Sequence, residues 1–144
     1  MKISQKVDYA LRALLELAVL APRGEPVRSA QIAQRTQVPE KFLEAILVEL
    51  RKAGLVESRR GPDGGHLLAR APREITLATI REAVDGPLSL APRASEGSGG
   101  PEGAAVRSMW AEVERAIGAV FDGVTLEALH RRAEVHRGAP DFAI

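Results

Sequence analysis

Residues 39–70 read PEKFLEAILVELRKAGLVESRRGPDGGHLLAR, a helical pattern followed at once by a cluster of turn residues. In its first half Phe42, Leu43, Ile46, Leu47 and Leu50 recur at helical spacing, giving a helix with one apolar side. Pro39 fits the first helical turn, where its missing N–H would have had no partner anyway. Gly54 stands where a left-handed residue closes a helix, and Leu55 is placed to pack back against it. In the second half, RGPDGG (residues 60–65) has the chemistry of a turn. Pro62 presets a corner, Asp63 can bond its own backbone, and Gly64 and Gly65 supply positive φ. The flanking pairs Leu55-Val56 and Leu67-Leu68 read as short strands. A helix therefore runs straight into a β-hairpin with a cationic tip, with Arg59 and Arg60 on one arm and His66 opening the other.

Working towards the N-terminus, Val7, Leu11, Leu14 and Ala18 form the apolar stripe of a first helix, which Pro22 and Gly24 end. Ser29 is a good N-cap for a short second helix with Ile32 and Ala33 facing inward. The residues TQV (36–38) connect it tightly to the helix of the opening stretch. Towards the C-terminus, Pro72 breaks the chain and Thr76 caps LATIREAVDG, which ends at Gly86. Residues 87–103 are rich in Pro, Gly and Ser and without period, and read as a flexible loop. Val106, Met109, Trp110, Val113, Ile117, Val120 and Phe121 then mark a long amphipathic helix whose stripe is wide for an appendage. Thr125 caps a short turn through Leu129. The expected organisation is a unit of helices and hairpin over residues 1–86, the loop 87–103, a long helix with its short cap over 104–130 and a loosely ordered tail over 131–144.

Composition narrows the classes. Hydrophobic residues make up 45% of the 144 and aromatics only 3%, so Ala, Leu, Val and Ile build the core, a bias towards helix. There is no cysteine, which removes disulfides, thiolate zinc sites and cysteine-held iron–sulfur clusters. The apolar run LRALLELAVLA is interrupted by Arg12 and Glu16 and lacks a cleavage motif, and no run is long enough for a bilayer. The expectation is a soluble cytoplasmic chain with no membrane association. The net charge of +1 hides an asymmetry. Up to Arg73 there are 13 Lys and Arg against 8 Asp and Glu; beyond it, 7 arginines face 11 acidic residues. A basic half suits a face that meets a polyanion.

Two helices joined by a tight turn, the second longer and followed by a basic-tipped hairpin, describe a winged helix-turn-helix: a mainly α fold with a long C-terminal helix for dimerisation. A helix of this length fits the major groove of double-stranded DNA while the hairpin reaches the flanking backbone or minor groove. Glu40, Lys41 and Glu44 are exposed early in the third helix. Arg28 and Lys41 can reach phosphates, and Arg59, Arg60 and the Gly64 backbone form the wing tip, with Arg60 placed for a narrow minor groove. A winged helix used for protein contact is the alternative, but such modules lose the basic tip that this chain keeps. An enzyme is not expected: His66, His130 and His136 lie in a hairpin and a tail without carboxylate spacing for a metal or relay. RGPDGG is no phosphate loop either, because no Gly-Lys-Ser/Thr follows.

Over residues 1–129 the chain resembles the Rrf2 family of bacterial regulators, the IscR and NsrR type. The resemblance is carried by KVDYALRALLELA, IAQRTQVPEKFLEAILVELRKAGLV, RGPDGGHLLAR, ITLATIREAVDG and MWAEVERAIGAVFDGVTLEAL. It implies a homodimeric transcription factor, usually a repressor. Helix three would read bases through Pro39, Glu40, Lys41 and Glu44, Arg60 would enter the minor groove, and Lys6 and Tyr9 would lie close to backbone phosphates. The long helix from about Ala105 would be the dimerisation helix, with Trp110 a core residue of the dimer. Many members hold an iron–sulfur cluster on three cysteines in the loop matching residues 88–103. Here Ser, Gly, Pro, Arg and Glu stand in that loop, and Arg107 matches a ligand histidine of some members. Asp8 matches a carboxylate ligand of another subset, but without thiolates it reads as a surface residue. The expected cofactor is none, and the signal lies among constitutive binding, a small-molecule effector and a partner protein.

Overall fold

The computed structural model describes residues 2–90 and 99–138. Helix α1 spans Gln5–Leu20 and starts where the Ser4 hydroxyl accepts from the Val7 N–H at 3.3 Å. Its buried stripe is Val7, Ala10, Leu14, Leu17 and Ala18, with Ala13 beside it. A 3₁₀ turn, Ala21–Arg23, ends in a left-handed Gly24. Helix α2, Ser29–Thr36, buries Ile32, and Gln37 takes positive φ (59°) to turn the chain into α3, Glu40–Lys52. The Thr36 hydroxyl secures the turn, donating to the Ile32 carbonyl at 2.6 Å.

Three expectations at these helix starts are corrected. Arg28, not Ser29, is the N-cap of α2, and no side chain caps it. Val27 is held extended by a bridge to His66 and Arg28 is still extended, so the helix begins at Ser29, one residue earlier than expected. Pro39 stands just before α3 rather than in its first turn, its carbonyl accepting from the Leu43 N–H at 3.0 Å. Phe42 is not in the core: it is 57% exposed. Leu43, Ile46, Leu47 and Leu50 centre the buried stripe, and one residue back lies about 100° around the helix from Leu43.

Gly54 ends α3 as expected, with φ +77° and its N–H on the Arg51 carbonyl, while Leu55 is fully buried. Strands β1 (Val56–Arg59) and β2 (Gly65–Leu68) pair antiparallel, with Ser58 opposite His66 and Arg59 opposite Gly65. Within the turn, positive φ falls on Gly61 and Gly65, not on Gly64. Gly64 must be glycine for another reason, since a β-carbon there would stand 2.3 Å from the Arg59 carbonyl oxygen. Val27 adds a short third edge to the hairpin through two hydrogen bonds with His66, at 2.9 and 2.8 Å.

A 3₁₀ turn (Pro72–Glu74) leads to Thr76, whose hydroxyl accepts from the Thr79 N–H at 3.1 Å and caps α4, Leu77–Asp85. Helix α5 runs Gly100–Gly123, so its first turn occupies the end of the stretch expected to be loop; residues 91–98 of that stretch lie outside the described residues. Helix α6, Leu126–Gly138, replaces the expected short turn and the loose tail up to residue 138, and residues 139–144 lie outside the description. Thr125 caps α6 through the Ala128 N–H at 3.1 Å. Backbone bonds between Leu126 and Ile75 and between Leu77 and Val124, both 2.8 Å, seat its start beside α4. Pairs at helical spacing, Glu127 with Arg131 and Glu134 with Arg137, support the rest.

The core is aliphatic. Leu14, Leu17, Ile32, Leu43, Ile46, Leu47, Leu50, Leu55, Ile75, Ile80 and Leu126 are almost wholly out of water, and no described polar or charged residue is buried with them. Helices α1 to α4, the hairpin and the start of α6 share this core. Helix α5 does not: none of its 24 residues is buried, and it packs chiefly on α4.

Candidate nucleic-acid interface

The buried stripe of α3 fixes what faces water. Lys41, Glu44, Ala45 and Val48 stand opposite it, with Glu40 in the first turn and Arg51 and Lys52 in the last. That charge order matches the helix dipole, acid at the N-terminus and base at the C-terminus. Lys41 has no hydrogen-bond or ion-pair partner among the described residues. The sequence alone pointed to Lys41 and Glu44 but not to Ala45 and Val48, which share the same outer face. The helical wheel of the Leu43–Leu50 stripe would have found both.

The wing root sits beside this helix. Strand β1 packs on α3, and His66 feels the charges of both Arg51 and Glu44. Burial holds the His66 pKa below its ordinary 6.5, the Arg51 guanidinium lowers it further, and Glu44 opposes both. The ring nitrogen Nδ1 lies 2.9 Å from the Ser58 hydroxyl across the strands. At the tip Arg60 is exposed and unpaired among the described residues, whereas Arg59 stands 3.7 Å from Glu57.

Other expected DNA contacts are engaged within the protein. The Lys6 ammonium lies 3.1 Å from Glu49 Oε1 and donates to the Val84 carbonyl at 3.1 Å. The Arg28 guanidinium donates to the Pro62 carbonyl in the wing turn. Tyr9 is half-buried against the core, and Pro39 and Glu40 are exposed at the entry to α3. Asp8 is exposed and paired with Arg12 at 3.1 Å.

On α5, Val106, Met109, Val113 and Val120 are exposed, Val120 by 64%, while Trp110, Ile117 and Phe121 are half-buried. The Arg81 guanidinium of α4 lies 5.9 Å from the centroid of the Phe121 ring. An exposed apolar stripe on a helix that contributes no buried residue to the core is the kind of surface that marks a protein contact.

Helix, tight turn, recognition helix and wing in this order, closed by a long helix that stands off the core, make the chain a winged helix-turn-helix protein. Residues 3–132 match the model of the Rrf2 family, described as iron-dependent transcriptional regulators. An rrf2-like HTH-type regulator of Rhodobacter capsulatus is 41% identical over 134 residues, covering 87% of this chain and 89% of that one. The solved structure of CymR, the global cysteine regulator of Bacillus subtilis, superposes with a TM-score of 0.79 at 35% identity, over 92% of this chain and 98% of that one. That of IscR from T. potens gives 0.77 at 33% identity, over 99% and 95%. The chain belongs to the Rrf2 family of transcriptional regulators and is not an enzyme.

The iron in the family's description does not fit this chain's donors. A thiolate-held cluster needs cysteine, of which the sequence has none. Among the described residues no three His, Asp or Glu side chains converge on a metal position. His66, His130 and His136 stand in different places, His66 on β2 and the other two on α6.

Proposed function

We propose that this chain is a cytoplasmic homodimeric repressor that binds a pseudo-palindromic operator in double-stranded DNA without an iron–sulfur cluster. The observation that carries it is the outer face of α3, where Lys41 stands beside Glu44, next to a wing tipped by Arg60, neither cation having a partner among the described residues. In the major groove Lys41 is matched to guanine O6 and N7 and Glu44 to the cytosine amine. Pro39 and Glu40 lie at the base-facing entry of the helix, and Arg59, Arg60 and the Gly64 backbone follow the flanking groove. Tyr9 lies against the phosphates, with Lys6 beside them but held on Glu49. The stripe from Val106 to Phe121 pairs with its copy about a two-fold axis, which the operator mirrors as two half-sites spaced by a helical turn or a multiple of it.

The test is selection from a random duplex library with the full chain, followed by sequencing of the retained DNA. A single enriched site with two-fold symmetry is the expected result. A library that stays random after several rounds would overturn sequence-specific binding.

A further inference from the structure

We infer that Arg28 positions the wing: its guanidinium braces the turn at the Pro62 carbonyl and thereby sets where Arg60 stands. This rests on the wing being a DNA-contacting element, and it takes Arg28 out of the set of phosphate contacts.

Both ends of the brace are anchored. On one side Val27 is locked into the hairpin by its two backbone bonds to His66. On the other the Arg28 carbonyl accepts the first bonds of α2, from Gln31 at 3.0 Å and Ile32 at 3.1 Å. The side chain therefore leaves a backbone fixed from both directions, and it reaches a residue 34 positions later. The turn it meets is poorly held by itself. Residues 60–64 include two glycines, which lose more freedom on ordering than any other residue. Their one internal backbone bond runs from the Gly64 N–H to the Gly61 carbonyl at 3.0 Å. That bond leaves the Pro62 carbonyl without a backbone donor, and Arg28 supplies one. A guanidinium bond to a carbonyl is charge-assisted and stronger than a neutral one. Arg60 is two residues from Pro62, so a turn that swings at Pro62 carries Arg60 with it.

A brace and a phosphate contact differ in the free protein. Backbone amide exchange should therefore be measured without DNA on wild type and Arg28→Met, together with the salt dependence of binding to a selected operator. A brace predicts several-fold faster exchange at the Gly64 amide in Arg28→Met, with the amides of Ile46 and Leu47 unchanged as a check on folding. It also predicts weaker operator binding with an unchanged slope of log affinity against log salt, because Arg60 still reaches the groove once bound and only the cost of ordering the loosened turn is added. Unchanged exchange at Gly64 overturns the brace, and so does a slope smaller by ~0.9, the loss of one neutralised phosphate. If wild type bound no DNA at all, the functional reading would fall, while the exchange measurement would still decide the brace.

Discussion

Lys6 of α1 holds its ammonium 3.1 Å from the Glu49 carboxylate of α3, on the flank of the recognition helix. The same nitrogen donates to the Val84 carbonyl near the end of α4, so one cation joins three helices. An exposed pair of this kind contributes about 0–1 kcal/mol to stability. Its larger consequence is for DNA, because the carboxylate competes with phosphate for the lysine. Glu49→Gln should release Lys6 and remove a negative charge from the interface. Operator affinity should rise and the salt slope should steepen by ~0.9, one additional phosphate contact. Fluorescence anisotropy titrations across a series of potassium chloride concentrations measure both. An unchanged slope would mean that Lys6 stays on α4 and does not reach the backbone.

Gly64→Ala and Gly65→Ala should damage the wing and spare the body. A β-carbon at Gly64 would lie 2.3 Å from the Arg59 carbonyl oxygen, and one at Gly65 would lie 2.7 Å from the Val27 carbonyl. Both obstacles are backbone and cannot rotate away, so the hairpin must open. Overpacking of this kind costs about 1–3 kcal/mol. Operator affinity should fall by roughly five- to a hundredfold, the factor that a lost contact worth about 1–3 kcal/mol represents. The circular dichroism of α1 to α4 should be unchanged, and wild-type affinity in either variant would remove the wing from the interface.

The elements that local rules decide were legible in the sequence, and those that depend on distant partners were not. The α3 stripe, the Gly54 closure, the Thr76 cap and the hairpin each rest on residues within one or two turns of one another. The Val27–His66 bridge joins residues 39 positions apart through backbone atoms alone, and no side-chain pattern announces it. It moved the α2 cap from Ser29 to Arg28. Helix α6 was missed because its only fully buried residue is Leu126, so beyond Leu129 no apolar stripe marks it. At the candidate interface the sequence marks the cations but not which of them are already engaged: Lys6 and Arg28 look like Lys41 and Arg60 until their partners on other elements are seen.

His66 makes stability depend on pH in a defined direction. Its pKa in the folded chain is below its ordinary 6.5 because the ring is partly buried and faces Arg51, with Glu44 offsetting part of the effect. The unfolded chain therefore binds the proton more readily than the folded one. Stability should fall as pH drops below about 6.5, level off below the folded pKa, and be fully present above 6.5. Replacing the ring by an amide, His66→Gln, should flatten this part of the profile. Urea midpoints at pH 7.5 and 5.5 for the two proteins test it; equal pH dependence in both would assign the effect elsewhere.

The donor set predicts indifference to cluster chemistry. Protein purified without oxygen should contain no acid-labile sulfide, and its operator affinity should not change with nitric oxide or an iron chelator. A brown preparation with visible absorption would show that ligands from outside this chain had been overlooked.

The dimer prediction rests on α5. Val113 is 37% exposed and Ile117 half-buried on a helix with no buried residue, so neither holds the aliphatic core together. Burying a valine, leucine or methionine is worth about 1.5–3 kcal/mol relative to leaving it in water, and a two-fold interface counts each twice. An aspartate at either position places a charge on the apolar stripe, which pairing with a second copy would have to bury. Val113→Asp and Ile117→Asp should therefore each convert the dimer to monomer at micromolar concentration, as read by sedimentation equilibrium. Helix content should be preserved. Affinity for the full operator should collapse towards that of an isolated half-site, since the second recognition helix no longer arrives with the first. A wild-type chain that sediments as a monomer, or an aspartate variant that still binds the full operator as tightly, would sink the assignment of α5.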